Sequence, residues 1–398
     1  MNYKKLFTKV HAKKDRAFAK YIPFNTRYRP TAVVPLKTRE DEGIRLTALS
    51  PPYISRLNLP DHLRKHCSPY RQPVNEVSYP GNYIVQIKDG RILMDTGSNM
   101  AIVSATNKLI DKISFQWKAD KVLDAGQNIF LRQKGFKTPQ RYNGKVFSLL
   151  SGGGARTYFY HWVMDSMPKL GLLQQSGLFD EVDFFLAPNY KLPYQRQFLE
   201  YFGINEERVI DGANITHLQA YTLIVASYTV IRSHHPQWMC DWLHNSLVPA
   251  YDPHPQDKMI YIARGDARRN RKVLNEEEVI SLLQSRGFEI CYLSNLSVTE
   301  QARLFHSASV VVAPHGGGLT NLVFCRPGTR VLELFPETYV SHPFCDISMK
   351  RSLDYDFLLC PADGDADCAV DGQKINLTVR MKELQLKVDG ITQRAEIP

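Results

Sequence analysis

The sequence predicts an α/β protein with two successive halves of alternating strands and helices, a cleft between them and a β-rich stretch ahead of them. Three observations carry this. From about residue 145 onward, short apolar runs alternate with longer amphipathic runs, the signature of a parallel sheet with helices on its faces. The segment Tyr251-Asp252-Pro253-His254-Pro255-Gln256-Asp257 interrupts that alternation, and the same pattern then restarts. Val310-Val311-Val312-Ala313 is a β-branched run of the kind buried on both faces of a parallel sheet.

The elements follow in order. Residues 31–80 are rich in proline and turn residues without a sustained period, so they read as an extended wrap over a domain surface. Tyr83–Ile87 and Arg91–Met94 are short strands. The Lys88-Asp89-Gly90 sequence between them is a hairpin signal. Val146–Leu150 is a strand, Tyr158–Gln175 a helix, Asp183–Ala187 a strand and Tyr194–Phe202 a helix. In the second half, Met259–Ala263 is a strand, and Asn275 with Glu278 can cap a helix that Gly287 ends. Phe288–Leu293 is a strand, and Ser297 with Glu300 forms a capping box for a helix through His306. After Val310–Ala313 come the turn His315–Gly318, a helix from Leu319 and the strand Arg330–Phe335. The expected division is 1–30, a basic amphipathic tail; 31–143, wrap and β-rich region; 144–250 and 251–362, the two α/β halves; and 363–398, an extension.

The chain's 398 residues, 43% of them hydrophobic, suffice for two or three ordinary domains. Nine of its Lys and Arg lie in residues 1–30 against Asp15 alone, so most of the net charge of +10 is a tail and the body is nearly neutral. A nucleic-acid binder would carry a basic face on its body, so that class is not expected. The tail, with Tyr3, Leu6, Phe7, Val10, Phe18 and Tyr21 at roughly helical spacing, could instead lie on an anionic membrane surface. The seven cysteines are scattered, with no CxxC pair, which argues against a disulfide framework or a zinc knot and for a reduced, cytoplasmic protein. No apolar run reaches transmembrane length, and no apolar signal core opens the chain.

Three blocks carry chemistry. His315-Gly316-Gly317-Gly318-Leu319-Thr320-Asn321 follows a buried strand and opens a helix. Its glycines let backbone approach a ligand, and N–H groups at a helix start favour phosphate. In an open α/β sheet this turn lies at the ligand end. The pattern is neither GxGxxG nor a Walker A loop, so neither a nicotinamide cofactor nor ATP is implied. Arg264, Arg268, Arg269, Arg271 and Lys272 follow another strand end, where guanidinium forks suit diphosphates. Tyr160-His161-Trp162-Val163-Met164-Asp165-Ser166-Met167-Pro168, just after Gly152-Gly153-Gly154, places His161 and Asp165 on one helix face. A histidine beside a carboxylate suits a general base. Each block also has a plain structural reading: a tight turn, a solvated loop, a helix-packing histidine.

Taken together, Tyr160-His161-Trp162-x-x-Asp165-x-x-Pro168, Arg264…Arg271…Asn275-Glu276, and Pro314-His315-Gly316-Gly317-Gly318-Leu319-Thr320-Asn321…Pro327-Gly328-x-x-Val331-x-Glu333 resemble glycosyltransferase family 61, including its bacterial capsular-polysaccharide members. The resemblance covers roughly residues 145–340. The family usually has a small residue such as Ala at the position of Gly317. The resemblance implies a GT-B-like fold of two Rossmann-like lobes and inverting transfer from a nucleotide-sugar, often a UDP-sugar, to a glycan acceptor. With that donor, the reading of the residues puts it against Arg264, Arg268, Arg271, the turn 315–321 and Glu333, with His161 or Asp165 as base. Histidine is favoured because imidazoles titrate nearer neutrality. No cofactor other than the nucleotide-sugar co-substrate is expected. No metal is expected either: Asp180-Glu181-x-Asp183 and Asp363-x-Asp365-x-Asp367 read as solvated turns, and arginines could hold the leaving diphosphate. An α/β-hydrolase is excluded, because no glycine is followed two residues later by serine. A non-catalytic nucleotide-sugar-binding protein of the same fold remains the alternative.

Overall fold

In a computed structural model the protein is described at residues 26–95, 99–118, 121–151, 157–248, 255–265 and 271–393. Two sheets organise it. The first has ten strands. At its centre Gln140–Ser148 lies between His217–Ala226 and Phe184–Ala187, with Val209–Asp211 beyond, all parallel. The other flank of His217–Ala226 pairs antiparallel with Tyr83–Lys88 and Arg91–Met94. Ile44–Ala48, Met100–Val103, Lys108–Ile110 and Ala32–Val34 complete the sheet. The β-rich region ahead of the first half therefore belongs to the same sheet, and the expected boundary at 143/144 falls inside a strand.

The expected Asp-Gly hairpin is not formed. Tyr83–Lys88 and Arg91–Met94 run on along His217–Ala226 in one register, Lys88 opposite Thr222 and Arg91 opposite Gln219. A two-residue type I′ turn needs positive φ at both central residues. Only Asp89 adopts it, at 51°. The chain kinks and the ladder continues through Asp89 N–H to the Tyr221 carbonyl and Ala220 N–H to the Gly90 carbonyl. Gly90 is required here, since a Cβ would lie 2.8 Å from Leu223 Cβ.

The second sheet is wholly parallel, ordered Glu289–Cys291, Lys258–Ile262, Ala308–Pro314, Arg330–Pro336, Asp354–Cys360. From Lys258–Ile262 the chain steps first to one side, through the helix Glu276–Ser285. It then crosses back through the helix Val298–Ser307 to the other side. The strand order thus reverses between Lys258–Ile262 and Ala308–Pro314, and a crevice opens beyond the carboxyl ends of those two strands. The Ser297–Glu300 capping box forms as expected. The Asn275 cap does not: the Asn275 amide instead bridges both backbone groups of Val379, and Glu276 accepts from the Arg264 N–H. The chain beyond 363 is tied to this sheet, with Leu377 bonded to Lys272 and Leu274.

One apolar core joins the two sheets, holding Phe147, Trp162 and Leu170 together with Ile260, Val311 and Phe324. Of the stretch 31–80 read as a wrap, Ala32–Val34 and Ile44–Ala48 join the first sheet, and residues 53–79 lie over the second half. Tyr53–Arg56 pairs with Glu76–Tyr79, and Leu57, Leu59, Leu63 and Cys67 between them pack on Phe335 and Phe357 of the second sheet and on Val340 between its last two strands. No helix among the described residues is long and apolar enough to cross a membrane. The basic tail lies almost wholly outside the described residues.

Lys169 is fully buried in the first half. Its Nζ donates to the Leu150 carbonyl and lies 5.6 Å from the Tyr228 ring. Burial pushes this ammonium down to about 7. An unfolded lysine holds its proton to higher pH, so the unfolded chain binds more protons between these limits and stability rises with pH there. In Lys169→Met that rise should flatten. Urea unfolding at pH 7 and pH 9.5 is the check, and an unchanged slope would mean another group carries it.

Candidate functional site

A cleft of about 470 Å³ opens at the reversal point of the second sheet, and it brings the three sequence blocks together. His161 lines it from the first half, Arg264 and Arg271 from the loop after Lys258–Ile262, and His315–Gly318 from the turn after Ala308–Pro314. Arg268, Arg269 and Gly152–Gly154 lie outside the described residues. Leu319, Thr320, Asn321 and Glu333 are buried behind the lining.

His161 Nδ1 is 2.7 Å from Asp165 Oδ2, with the imidazole 39% exposed and the carboxylate 18% exposed. The expected single helix is broken here. Phe159–His161 leads into a π-helical turn, Trp162–Ser166, and a new helix starts at Pro168. Met167 N–H reaches the Trp162 carbonyl, one residue farther back than in an α-helix. Such bulges leave carbonyls over. Those of Met164 and Asp165 accept from Thr229 Oγ1, and that of Asp165 also from Ser151 Oγ. The backbone under the pair is thereby pinned from two sides.

The three glycines have different tasks, and none needs left-handed backbone. A Cβ on Gly316 would fall on Arg264 Nη1, so this glycine lets the guanidinium lie against the turn. A Cβ on Gly318 would meet Leu293 Cδ1 at 3.0 Å and Ile262 Cγ2 at 3.3 Å, a packing constraint. Gly317 has room: the nearest atom to its Cβ would be Phe159 Cβ at 3.9 Å. The helix expected from Leu319 is a 3₁₀ helix that starts two residues earlier, Gly317–Phe324. Within it, Asn321 donates to the Gly318 carbonyl and to Gln301.

Arg271 is 3% exposed, and its donors go to carbonyls: Nε to Ile375, Nη1 to His315, Nη2 to Gly372. Its guanidinium sits 4.9 Å over the Tyr339 ring. Burial lowers it to about 10, so it stays charged at neutral pH. It ties the glycine turn to the segment near 372 and lends the cleft its charge. Arg264 Nε donates to the Arg271 carbonyl.

Behind the turn, His315 Nδ1 meets Glu333 Oε1, while Tyr355 donates to Glu333 Oε2. Burial raises the Glu333 carboxyl to about 8. Burial also drives His315 well below its usual range, helped by Arg271, Arg71 and Arg264. His315 is thus part of the wall, stacked on Phe335 with ring centroids 4.9 Å apart.

Three residues here, His235, Asp346 and Arg71, carried no signal. Tyr160 OH is 2.8 Å from His235 Nε2, and His235 donates from Nδ1 and its backbone N–H to Asp346 Oδ2. The latter two are 111 residues apart and nothing in the sequence pairs them. Arg71 enters the cleft from the wrap, whose lack of period hid it. The acidic triplets stay outside: Asp183 accepts from Lys145 N–H and Asp363 from the backbone and side-chain nitrogens of Asn376. Among the described residues no group of three or more His, Cys, Asp and Glu is placed to hold a metal ion.

Residues 159–332 match the Glycosyltransferase 61 family. A β-1,2-xylosyltransferase of Oryza sativa subsp. japonica is 29% identical over 216 residues, 48% of this chain and 36% of the relative. Another β-1,2-xylosyltransferase of that plant is 40% identical over 107 residues, 25% of this chain and 20% of the relative. An α-1,3-arabinosyltransferase of the same plant is 33% identical over 87 residues, 21% of this chain and 15% of the relative. The chain therefore spans about a third or less of the length of these relatives. They are plant enzymes and give no support to a bacterial capsular assignment. The matched residues 159–332 run from just before the His161–Asp165 pair to Leu332 beside Glu333, and so take in His161, Arg264, Arg271 and the glycine turn of the cleft.

Proposed function

We propose that the chain transfers a sugar, with inversion, from a nucleotide-sugar to a glycan acceptor, the donor lying against the second sheet and the acceptor against the first. One observation carries this reading. The described residues lining the cleft include His161, the glycine turn and three arginines, Arg71, Arg264 and Arg271, but no carboxylate. Such a lining favours a diphosphate opposite a base. The arginines supply counter-charge as the leaving group forms, so no metal ion is part of the proposal. His161 Nδ1–H donates to Asp165, which leaves the Nε2 lone pair for the acceptor hydroxyl proton. As that proton moves to Nε2, the acceptor oxygen bonds to the anomeric carbon, and the bond to the diphosphate oxygen breaks with its electron pair. A UDP-pentose is the first donor to test, because the relatives' names specify xylose and arabinose. The free state of all seven cysteines supports a reducing compartment such as the cytoplasm, and the basic tail a contact with its membrane surface.

The test is release of nucleoside diphosphate from a panel of UDP-, GDP-, CMP- and dTDP-sugars, with and without glycan acceptors. One donor should give acceptor-dependent release. Gly317→Val, whose side chain projects into open cleft, should then bind that donor at least about tenfold more weakly with the fold intact. Binding of a donor without turnover on any acceptor would favour the non-catalytic alternative, and binding of none would end the proposal.

A further inference from the structure

We propose that Arg71, which lies outside the family-matched region, binds the donor diphosphate directly, so that the N-terminal wrap completes the anion site. The inference rests on the reading above and deepens it. Arg71 ends the short turn Pro69–Arg71. That turn is fixed on the second sheet by Ser68, whose N–H donates to the Val340 carbonyl at 3.1 Å and whose Oγ accepts from Val340 N–H at 3.0 Å. Leu63 and Cys67 just before it are buried against Phe335 and Val340, and Tyr70 stacks on Tyr339. The wrap thus delivers one guanidinium to a defined place in the cleft, beside the ring that Arg271 covers.

What separates Arg71 from its neighbours is its partners. Arg271 has committed three donors to backbone carbonyls, and Arg264 donates to the Arg271 carbonyl. Arg71 Nε is buried and has no hydrogen-bond partner. A buried charged donor without an acceptor is costly and rare in a folded protein, so an acceptor supplied from outside is the economical explanation. No carboxylate among the described lining residues can serve. Phosphate oxygens fit the guanidinium fork and the surrounding positive charge.

Titration calorimetry tests this with three probes: the nucleoside diphosphate released by the wild type, its nucleoside, and inorganic pyrophosphate. Arg71→Gln should bind the diphosphate and pyrophosphate about tenfold or more weakly, with nucleoside affinity unchanged. Arg71→Lys should recover part of the loss by restoring the charge without the fork. Unchanged diphosphate affinity in Arg71→Gln overturns the inference while leaving the proposed function standing. So does an equal loss for the nucleoside, which would mark Arg71 as a wall residue. A wild type that binds neither phosphate probe overturns both.

Discussion

Replacing His161 by alanine should cut turnover by about 10²–10⁴-fold, the share a general base supplies, while donor affinity stays nearly constant. The reason lies in how the site is divided. The glycine turn and the arginines proposed to hold the diphosphate stand on the second half and the wrap, and His161 stands across the cleft on the helix Phe159–His161. Removing its ring leaves the glycine turn and the arginines untouched. Asp165→Asn should cost less than His161→Ala, because an amide oxygen can still accept from Nδ1–H and hold the ring. Its orientation also survives in part because Ser151 and Thr229 pin the backbone of Asp165 rather than its side chain. Steady-state turnover and donor titration of both variants decide the assignment. A larger loss in Asp165→Asn would make Asp165 the base. Less than a tenfold loss in both would return the pair to helix packing.

Much of the second half was legible in the sequence because its elements are locally determined. The run Val310–Ala313, the Ser297–Glu300 box and the strand Arg330–Phe335 each signal through neighbours only a few residues away. The crevice followed too, since strand ends and loops could be placed without any side-chain contact. What could not be read depends on distant chain. The Asp-Gly signal at Asp89-Gly90 describes a local preference, and the strand His217–Ala226, far along the chain, overrides it by pairing on both sides of the kink. The π turn at Trp162–Ser166 needs the hydroxyls of Ser151 and Thr229 to absorb its carbonyls, and no helical periodicity reveals that. Residue type and loop position point to a phosphate ligand at Arg271, but not to its partners Ile375 and Gly372, which lie a hundred residues on. Those carbonyls turn a mobile cation into a fixed one. It can still contribute charge to the cleft, but its removal would also loosen the turn.

The other large effect is expected at Asp346, in the buried link between the two sheets. Asp346 lies on the helix Pro343–Lys350 of the second half, is 1% exposed, and accepts both the backbone N–H and Nδ1–H of His235 at 2.7 and 2.8 Å. Burial alone would raise this carboxyl, yet the hydrogen bonds and charge of His235 hold it below the usual range. Asp346→Ala should therefore lower stability by about 3–5 kcal/mol, since it strands both donors in a dry environment and leaves a void. Asp346→Asn, which keeps one acceptor oxygen, should lose less. The depressed carboxyl stabilises the fold above its unfolded-state value, so this contribution is lost as pH falls through the lower folded-state value. In Asp346→Ala the acid limb of the stability profile should be correspondingly flatter. Chemical denaturation across pH 3–7 measures both effects. There is also a functional consequence, because His235 Nε2 holds Tyr160 OH, and burial with the nearby Asp165 and Asp346 charges keeps that phenol protonated. The chain Asp346–His235–Tyr160 ends one residue before His161, so loosening it should shift this proposed base relative to the donor. Folded Asp346→Asn should then show a lower kcat at unchanged donor affinity, and a variant as stable and as active as the wild type would show that the link carries neither load.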